Sequence, residues 1–255
     1  MPLESAISSQ PMFERAPGKS DQIYESLRRL IVRLDMAPGS AVSEKDLCAS
    51  FEVSRTPVRE ALQRLAEEDL VSIYPHSGTW VSRISFPVAE EGFVLRRALE
   101  VESVRRAAER LTDEDAVHLD GLILRMRRIL REGRLEDYLE LDDEFHSAIA
   151  RVSGFPRIWK FITLAKVHLD RMRQLSAPVP GHLADVTEQH AAIVRALVKR
   201  NATQAELAMR VHLDSSFEVM AGMYHDKAAL FEDTDKTPGR ARRRTGEGAL
   251  HDRGA

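Results

Sequence analysis

The chain has 255 residues, of which 43% are hydrophobic, and its formal net charge at neutral pH is −3. This length and apolar content predict two globular domains and exclude the disordered class. No run of about 18 apolar residues occurs, and the first ten residues, MPLESAISSQ, have neither a basic start nor an apolar segment. We therefore expect a cytoplasmic protein without a membrane span or secretory signal. The single cysteine, Cys48, has no partner for an internal disulfide.

The chain opens with a segment that lacks helical periodicity. Residues 1–19 contain Pro, Ser and Gly, and we expect a flexible N-terminal tail. A first helix is predicted over residues 21–34, because the run Ala37-Pro38-Gly39 ends its pattern.

The next segment predicts two short helices joined by a tight turn. It spans residues 43–70 and reads SEKDLCASFEVSRTPVREALQRLAEEDL. Leu47 precedes Phe51 by one helical turn, and apolar residues recur at helical spacing through Val58 and Leu62. Each helix thus has one apolar stripe to bury against the other, which is typical of a helix-turn-helix.

The second of these helices has a basic, hydroxyl-rich start. Arg55 and Arg59 are four residues apart and therefore share one face, with Ser54 and Thr56 beside them at the N-terminus. Arginine matches the two major-groove acceptors of guanine, and helix N-termini suit phosphate. A solvated helix face would explain any arbitrary arginine pair, but the surrounding pattern favours DNA.

That pattern continues with a small hairpin. Two β-prone runs, 71–73 and 79–81, flank the turn-forming residues Pro75, His76, Ser77 and Gly78. A helix-turn-helix followed at once by a hairpin is the winged arrangement, in which the hairpin tip reaches the DNA beside the reading helix. His76 and Gly78 are predicted at that tip.

The run from Ser54 to Leu65, SRTPVREALQRL, with Leu70-Val71 and Gly78, resembles the DNA-binding domain of GntR-family bacterial transcription regulators. The resemblance implies that DNA is contacted by Lys45, Arg55, Thr56, Arg59 and the wing around His76 and Gly78. It places the reading domain at residues 20–84. Glu52 and Asp69 stand where the family usually has glycine, one in the turn and one at the end of the reading helix.

A net charge of −3 is unusual for a DNA-binding protein, and the placement of charge accounts for it. Arg55 and Arg59 lie at the entry of the reading helix, whereas its far side and end are acidic, with Glu60, Glu67, Glu68 and Asp69. We therefore expect a focused basic patch that is doubled by homodimerisation on an inverted-repeat operator in double-stranded DNA.

After a linker predicted at residues 85–88, the pattern becomes helical throughout. Helical segments near 88–110, 113–132, 134–153, 155–175, 182–200 and 202–224 predict an all-α bundle of six to seven helices over residues 89–225. The fold class is therefore mainly α. Residues 226–255 are predicted to form a flexible basic tail, with arginines at 240, 242, 243 and 244; this is a solvated charge run or a nonspecific DNA contact.

Four residues of the bundle have metal-ligand chemistry. Asp142 and His146 share one helix face, and His190 and His212 each lie 11 residues from a turn predicted at Asn201. Two helices folded back at that turn bring both histidines to the same height. Three imidazoles and one carboxylate suit a divalent ion, namely Zn²⁺, Ni²⁺, Mn²⁺ or Fe²⁺, with Zn²⁺ favoured. The alternative is a set of unrelated hydrogen-bonded histidines.

These positions carry a second resemblance. The motifs LRRALE at 95–100, Leu141-Asp-x3-His146, Glu188-Gln-His190 and Val211-His-Leu213 resemble the FCD effector domain of the FadR subfamily. The resemblance implies that the Asp and three His bind a metal that helps to hold a small organic acid. It also implies that Arg96 contacts this effector, although a salt bridge with Glu100 is the alternative. Weaker pocket candidates are Arg97, His168 and Arg171.

The predicted function is therefore that of a metabolite-responsive DNA-binding regulator, acting as a repressor, that senses a small carboxylate through a bound metal. One alternative is a regulator for which the metal ion itself is the signal. Another is a metal-dependent enzyme with a fused DNA-binding domain, but the sequence has no His-Glu-x2-His pair, nucleophile elbow or phosphate-cradling loop. We expect no enzymatic activity.

Overall fold

A computed structural model describes residues 18–232, and these contain ten α-helices and one small sheet. The N-terminal domain contains α1 Lys19–Val32, β1 Ala41–Val42, α2 Glu44–Ser50, α3 Arg55–Glu67, β2 Val71–Tyr74 and β3 Gly78–Val81. The C-terminal domain contains α4 Phe86–Arg110, α5 Asp113–Glu132, α6 Leu135–Val152, α7 Ile158–Ala165, α8 Val167–Ser176, α9 His182–Val198 and α10 Ala202–Asp226. The mainly α fold class is confirmed.

The N-terminal domain is a winged helix-turn-helix. Its sheet is antiparallel in the order β1-β3-β2, with Ala41 opposite Trp80 and Tyr74 opposite Gly78. The apolar stripes of α1 and α3 form one core, which includes Ile23, Leu27, Ile31, Val58, Leu62 and Leu65. This burial leaves the opposite face of α3 free for other contacts.

Two non-glycine residues take left-handed backbone where the sequence comparison led us to expect glycine. Glu52, in the turn between α2 and α3, has φ 52°, and Asp69, just after α3, has φ 57°. Left-handed backbone costs an ordinary residue about 1–2 kcal/mol. Both bends nevertheless form. The backbone N–H of Val53 donates to the Cys48 carbonyl, and that of Leu70 donates to the Leu65 carbonyl.

The C-terminal domain is a seven-helix bundle. Helix α4 runs through it and packs against α10, α8, α6 and α7. A Cβ atom at Gly92 would lie only 2.4 Å from the carbonyl oxygen of Ala165, so glycine allows α4 to touch the end of α7. The main core draws on all the longer helices, with Val104, Leu119, Phe145, Ile193 and Met209 among its buried residues.

The helix predicted over residues 155–175 is in fact two helices. The chain breaks at Lys166, whose side chain is fully buried and whose Nζ lies 2.9 Å from Asp143 and 2.7 Å from Asp170. A buried ammonium group is stable only when carboxylates pair with it. The spacing of apolar residues along the sequence does not show where such a pair will form, so it did not predict this break.

The boundaries of the predicted linker and tails also differ from the expectation. Helix α1 begins at Lys19, and α4 begins at Phe86 with Ser85 as its N-cap, so residues 86–88 of the predicted linker form the first turn of α4. Residues 228–230 form a 3-10 turn, and Phe231 pairs with Ile84 in a parallel bridge. The expectations for residues 1–17 and 233–255, with the arginines at 240–244, lie outside the described residues.

Between residues 18 and 232, no helix is both long enough and apolar enough to cross a membrane.

Candidate functional site

The face of α3 that points away from the core begins with the residues expected to contact DNA. Ser54 is the N-cap of α3, and its hydroxyl makes no capping hydrogen bond. The first backbone N–H groups of a helix have no partners within the helix, so this end of α3 is suited to an anion. All seven DNA-contact candidates are exposed: Lys45, Ser54, Arg55, Thr56, Arg59, His76 and Gly78.

The two arginines of this face differ from those that hold the domain together. The side chain of Arg59 is 64% exposed, and its Nε lies 3.0 Å from Glu44 Oε2. Arg55 has no ion-pair partner among residues 18–232. Arg64, on the other side of α3, instead pairs with Asp21 and stacks on the ring of Tyr24.

The wing tip is a tight, exposed turn. His76 has φ 64° and Gly78 has φ 94°, and the Ser77 backbone N–H donates to the Tyr74 carbonyl. Both left-handed residues lie at the turn between β2 and β3, as the sequence predicts.

The four predicted metal-ligand residues come together inside the bundle. Helix α6 supplies Asp142 and His146, α9 supplies His190, and α10 supplies His212; all four are buried. His212 Nε2 lies 3.2 Å from His146 Nε2 and 3.3 Å from His190 Nε2, and Asp142 Oδ1 lies 3.5 Å from His190 Nε2. Nitrogen ligands of a tetrahedral Zn²⁺ lie about 3.3 Å apart.

The outer nitrogens of two of these rings determine their tautomers. His146 Nδ1 contacts the carboxylate of Glu100, an acceptor that favours the proton on this nitrogen. His212 Nδ1 lies 3.2 Å from Gln189 Oε1, and the amide orientation follows from Gln189 Nε2 donating to Ser215 at 2.9 Å. With both Nδ1 atoms as donors, neutral rings turn their Nε2 lone pairs toward each other. Such an arrangement is repulsive unless a cation lies between them.

The charges around the cluster also fit a cation. Burial lowers the pKa of His190 to about 3 and that of His212 well below its usual value, so both imidazoles are in the neutral, ligating form. Burial alone would raise the pKa of Asp142, but Arg173 foremost, then His146 and His190, holds it well below its ordinary value. These four residues thus match a divalent ion in donor type, charge and spacing.

A carboxylate behind His146 links the cluster to the expected effector residue. Glu100 contacts His146 Nδ1 and accepts from Arg96 Nε at 2.5 Å. Burial would raise the pKa of Glu100, but Arg96 and His146 lower it to about 2. Glu100 is therefore ionised, and it orients and polarises the imidazole as carboxylate partners of metal-bound histidines do.

A small cavity opens beside the cluster. It has about 20 Å³ of space that water can enter, and it is lined by residues that include Arg96, Tyr138, Asp142, Arg173, His182 and His212. Arg96 both pairs with Glu100 and lines this cavity, and its buried Nη2 has no hydrogen-bond partner in the described part of the chain. An unpaired buried guanidinium nitrogen is complementary to an anionic oxygen.

The weaker pocket candidates lie elsewhere. Arg97 makes a bidentate pair with Asp214, at 2.6 and 3.0 Å, on the outer side of α4 and α10. His168 accepts from the Ser85 backbone N–H at 3.0 Å, and Arg171 donates to the Ser82 carbonyl at 2.7 Å. These two residues therefore brace the junction between the domains.

Sequence reasoning missed two residues of the site. Glu100 entered the prediction only as an alternative partner of Arg96, and Arg173 did not enter it. The sequence shows that Asp170 and Arg173 are three residues apart on one helix, but not that Arg173 reaches Asp142 on another helix.

Comparisons with known proteins match both halves of the chain. Residues 19–81 match the model for bacterial regulatory proteins of the gntR family, and residues 91–215 match the FCD domain. The Escherichia coli K12 protein named HTH-type transcriptional repressor RspR is 34% identical, over 84% of this chain and 94% of its own. The Cronobacter sakazakii protein named HTH-type transcriptional repressor NanR is 31% identical, over 82% and 87%.

Solved structures share the fold. Escherichia coli McbR/YncC superposes with a TM-score of 0.70 at 22% identity, over 81% of this chain and 99% of that chain. A GntR-type regulator from Rhodococcus sp. RHA1 superposes with a TM-score of 0.68 at 23% identity, over the same shares.

Proposed function

Because the chain belongs to the GntR family of bacterial regulatory proteins and has an FCD domain, we propose that this DNA-binding transcription regulator senses a small carboxylate through a divalent metal. The observation that carries the proposal is the convergence of three imidazole Nε2 atoms and one carboxylate beside a cavity lined by Arg96, whose buried Nη2 has no hydrogen-bond partner among the described residues. The family consists of transcription regulators rather than enzymes.

Each residue of the site has a distinct role in this proposal. Asp142, His146, His190 and His212 hold the ion, and Zn²⁺ suits their donor set best. The ion would supply a Lewis-acidic centre, and coordination by more than four ligands would give it exchangeable positions for carboxylate oxygens. Arg96 supplies the complementary cation, held in place by Glu100, and the buried cavity strengthens its attraction for an anion.

The proposal predicts acid binding that requires both the metal and Arg96. A panel of small mono- and dicarboxylates is titrated calorimetrically into Zn²⁺-loaded protein and into chelator-treated protein. Arg96→Met is expected to weaken the binding of the active acid at least tenfold, since a hydrogen bond to a charged group contributes about 1.5–3 kcal/mol.

Arg97→Met is the matched control, because Arg97 is the next residue on α4 but pairs with Asp214 outside the cavity. We expect this variant to bind the acid like the wild type. Equal binding by the Arg96→Met protein, or by chelator-treated wild type, would contradict the proposed effector site.

A metal-responsive regulator remains a second candidate, because four protein ligands complete a tetrahedral set without an organic acid. In that case Zn²⁺ alone would change the affinity for operator DNA, and no carboxylate would alter it further. RspR and NanR are named as repressors, and we extend repression to this chain as part of the proposal.

We also propose that the regulator is a homodimer that binds an inverted repeat, since one short reading helix contacts only one half-site. Helices α4 and α10 offer an outward-facing apolar stripe for the contact with a second copy. Val94 and Leu95 on α4 are 59% and 51% exposed, and Leu207 and Val211 on α10 are 53% and 52% exposed. Large apolar side chains exposed on two neighbouring helices are candidates for an interaction surface.

A charge placed in this stripe is expected to give a monomer. Leu207→Glu would bury a carboxylate in the proposed contact. Because the interface is two-fold, the desolvation free energy of this carboxylate opposes dimerisation in both protomers. Sedimentation velocity should therefore show loss of the dimer at micromolar concentration. Leu124→Glu is the control, because Leu124 is 63% exposed on α5, away from the stripe. A Leu207→Glu protein that dimerises as well as this control would exclude the stripe as the interface.

A further inference from the structure

Arg173 of α8 connects the candidate metal site with other carboxylates of the bundle. Its buried guanidinium contacts Asp142 through Nη2, and its Nη1 lies 2.8 Å from both Asp143 and Asp170. Burial opposes its charge, but the attraction of these carboxylates raises its pKa well above the ordinary value. Arg173 is thus a permanent positive charge that pairs with three carboxylates at once, those of Asp142, Asp143 and Asp170.

Arg173 also forms part of the wall between two cavities. One is the effector cavity described above. The other lies between the two domains and has about 210 Å³ of space that water can enter. It is lined on the bundle side by Asp143, Asp170 and Arg173, and on the reading-domain side by Arg28. Leu139 and Arg173 line both cavities, and Arg173 is the charged one of the two.

On the reading-domain side, Arg28 of α1 completes the connection. Its Nε lies 2.8 Å from Glu68, the C-cap of α3, and its Nη2 donates to the Thr163 carbonyl of α7 at 3.4 Å. Burial would lower the pKa of Arg28, but Glu68 and, more weakly, Asp170 raise it. Arg28 thus holds the end of the reading helix close to the effector domain.

We propose that Arg173 is a positioning residue that couples occupancy of the metal site to the attraction between Asp170 and Arg28, which line the same interdomain cavity, and so to the placement of the reading helix. The inference rests on the proposed function. A dication bound by Asp142 competes with Arg173 for this carboxylate. Arg173 then pairs more strongly with Asp143 and Asp170, which leaves less negative charge for Arg28.

This coupling predicts that Zn²⁺ loosens the contact between the domains. Backbone hydrogen exchange in α1 and at the end of α3 is expected to be faster in Zn²⁺-loaded protein than in chelator-treated protein. Binding free energies are reciprocal, so Arg28→Met should tighten Zn²⁺ binding, although Arg28 touches no ligand residue. We expect about a fivefold or greater gain in Zn²⁺ affinity, near the lower end of typical coupling energies.

The control is Arg64→Met, which removes another paired arginine of the reading domain, one whose partners Asp21 and Tyr24 belong to the same domain. This variant should keep wild-type Zn²⁺ affinity. Asp170→Asn tests the bundle side and leaves the contact between Arg173 and Asp142 in place. It should abolish the effect of Zn²⁺ on exchange in α1, and Arg173→Gln should do the same if it folds.

Two results overturn the coupling alone. One is Zn²⁺ binding that leaves exchange in α1 of the wild type unchanged. The other is equal Zn²⁺ affinity for Arg28→Met and the wild type. If the wild-type protein binds no Zn²⁺ in a competition titration, the proposed metal site and the coupling both fail, so the two failures are distinguishable.

Discussion

Replacement of His190 with alanine is expected to abolish the retention of one divalent ion per chain and to lower the melting temperature. His190 Nε2 lies 3.3 Å from His212 Nε2 and 3.5 Å from Asp142, at the centre of the buried cluster. A ligand present at 100 times its Kd stabilises the folded state by about 2.7 kcal/mol. For a chain of this size, that corresponds to a change of about 5–11 °C in Tm.

The measurements are elemental analysis of the purified protein and calorimetric melting with and without chelator. Chelation should lower the Tm of the wild type and leave that of His190→Ala unchanged. His118→Ala is the control, because it removes an exposed histidine of α5. A wild-type protein purified without metal, with a Tm that does not respond to added Zn²⁺, would show that the imidazoles are ordinary polar residues of the core.

Arg59→Ala is expected to weaken operator binding strongly and to broaden base preference. Arg59 is on the exposed face of α3 one turn after Arg55, and DNA would replace the Glu44 carboxylate as its partner. One bidentate arginine–guanine contact contributes about 1–3 kcal/mol. A dimer loses the contact in both half-sites, so we expect about a 30-fold or greater loss of affinity.

The test uses an operator selected from a random duplex library and a scrambled duplex of equal length, at a stated salt concentration. Arg59→Ala should lose more affinity for the operator than for the scrambled duplex. Lys45→Ala is the comparison, since a contact to phosphate carries no sequence information and its loss weakens both complexes evenly. Equal losses for Arg59→Ala on the two duplexes would assign Arg59 to phosphate rather than to a base.

Local sequence patterns were sufficient to predict most of the secondary structure of this protein. Helical periodicity and turn residues predicted the winged helix-turn-helix, the hairpin wing and most helices of the bundle, because side-chain spacing along one element decides which face is buried. The same reasoning placed His190 and His212 at equal heights on two helices joined near Asn201. Their separation along a hairpin depends only on the helical rise, which is the same in every helix.

Contacts between distant elements were decided by tertiary packing alone. Two of these contacts join different helices: Glu100 with His146, and Arg173 with Asp142. The break of the helix at Lys166 accompanies the pairing of a buried charge. The return of residues 228–232 to the junction at Ile84 is of the same kind. Periodicity specifies which residues turn inward, but the partner of a buried charge depends on how whole helices pack, because only packing brings distant residues within hydrogen-bond range.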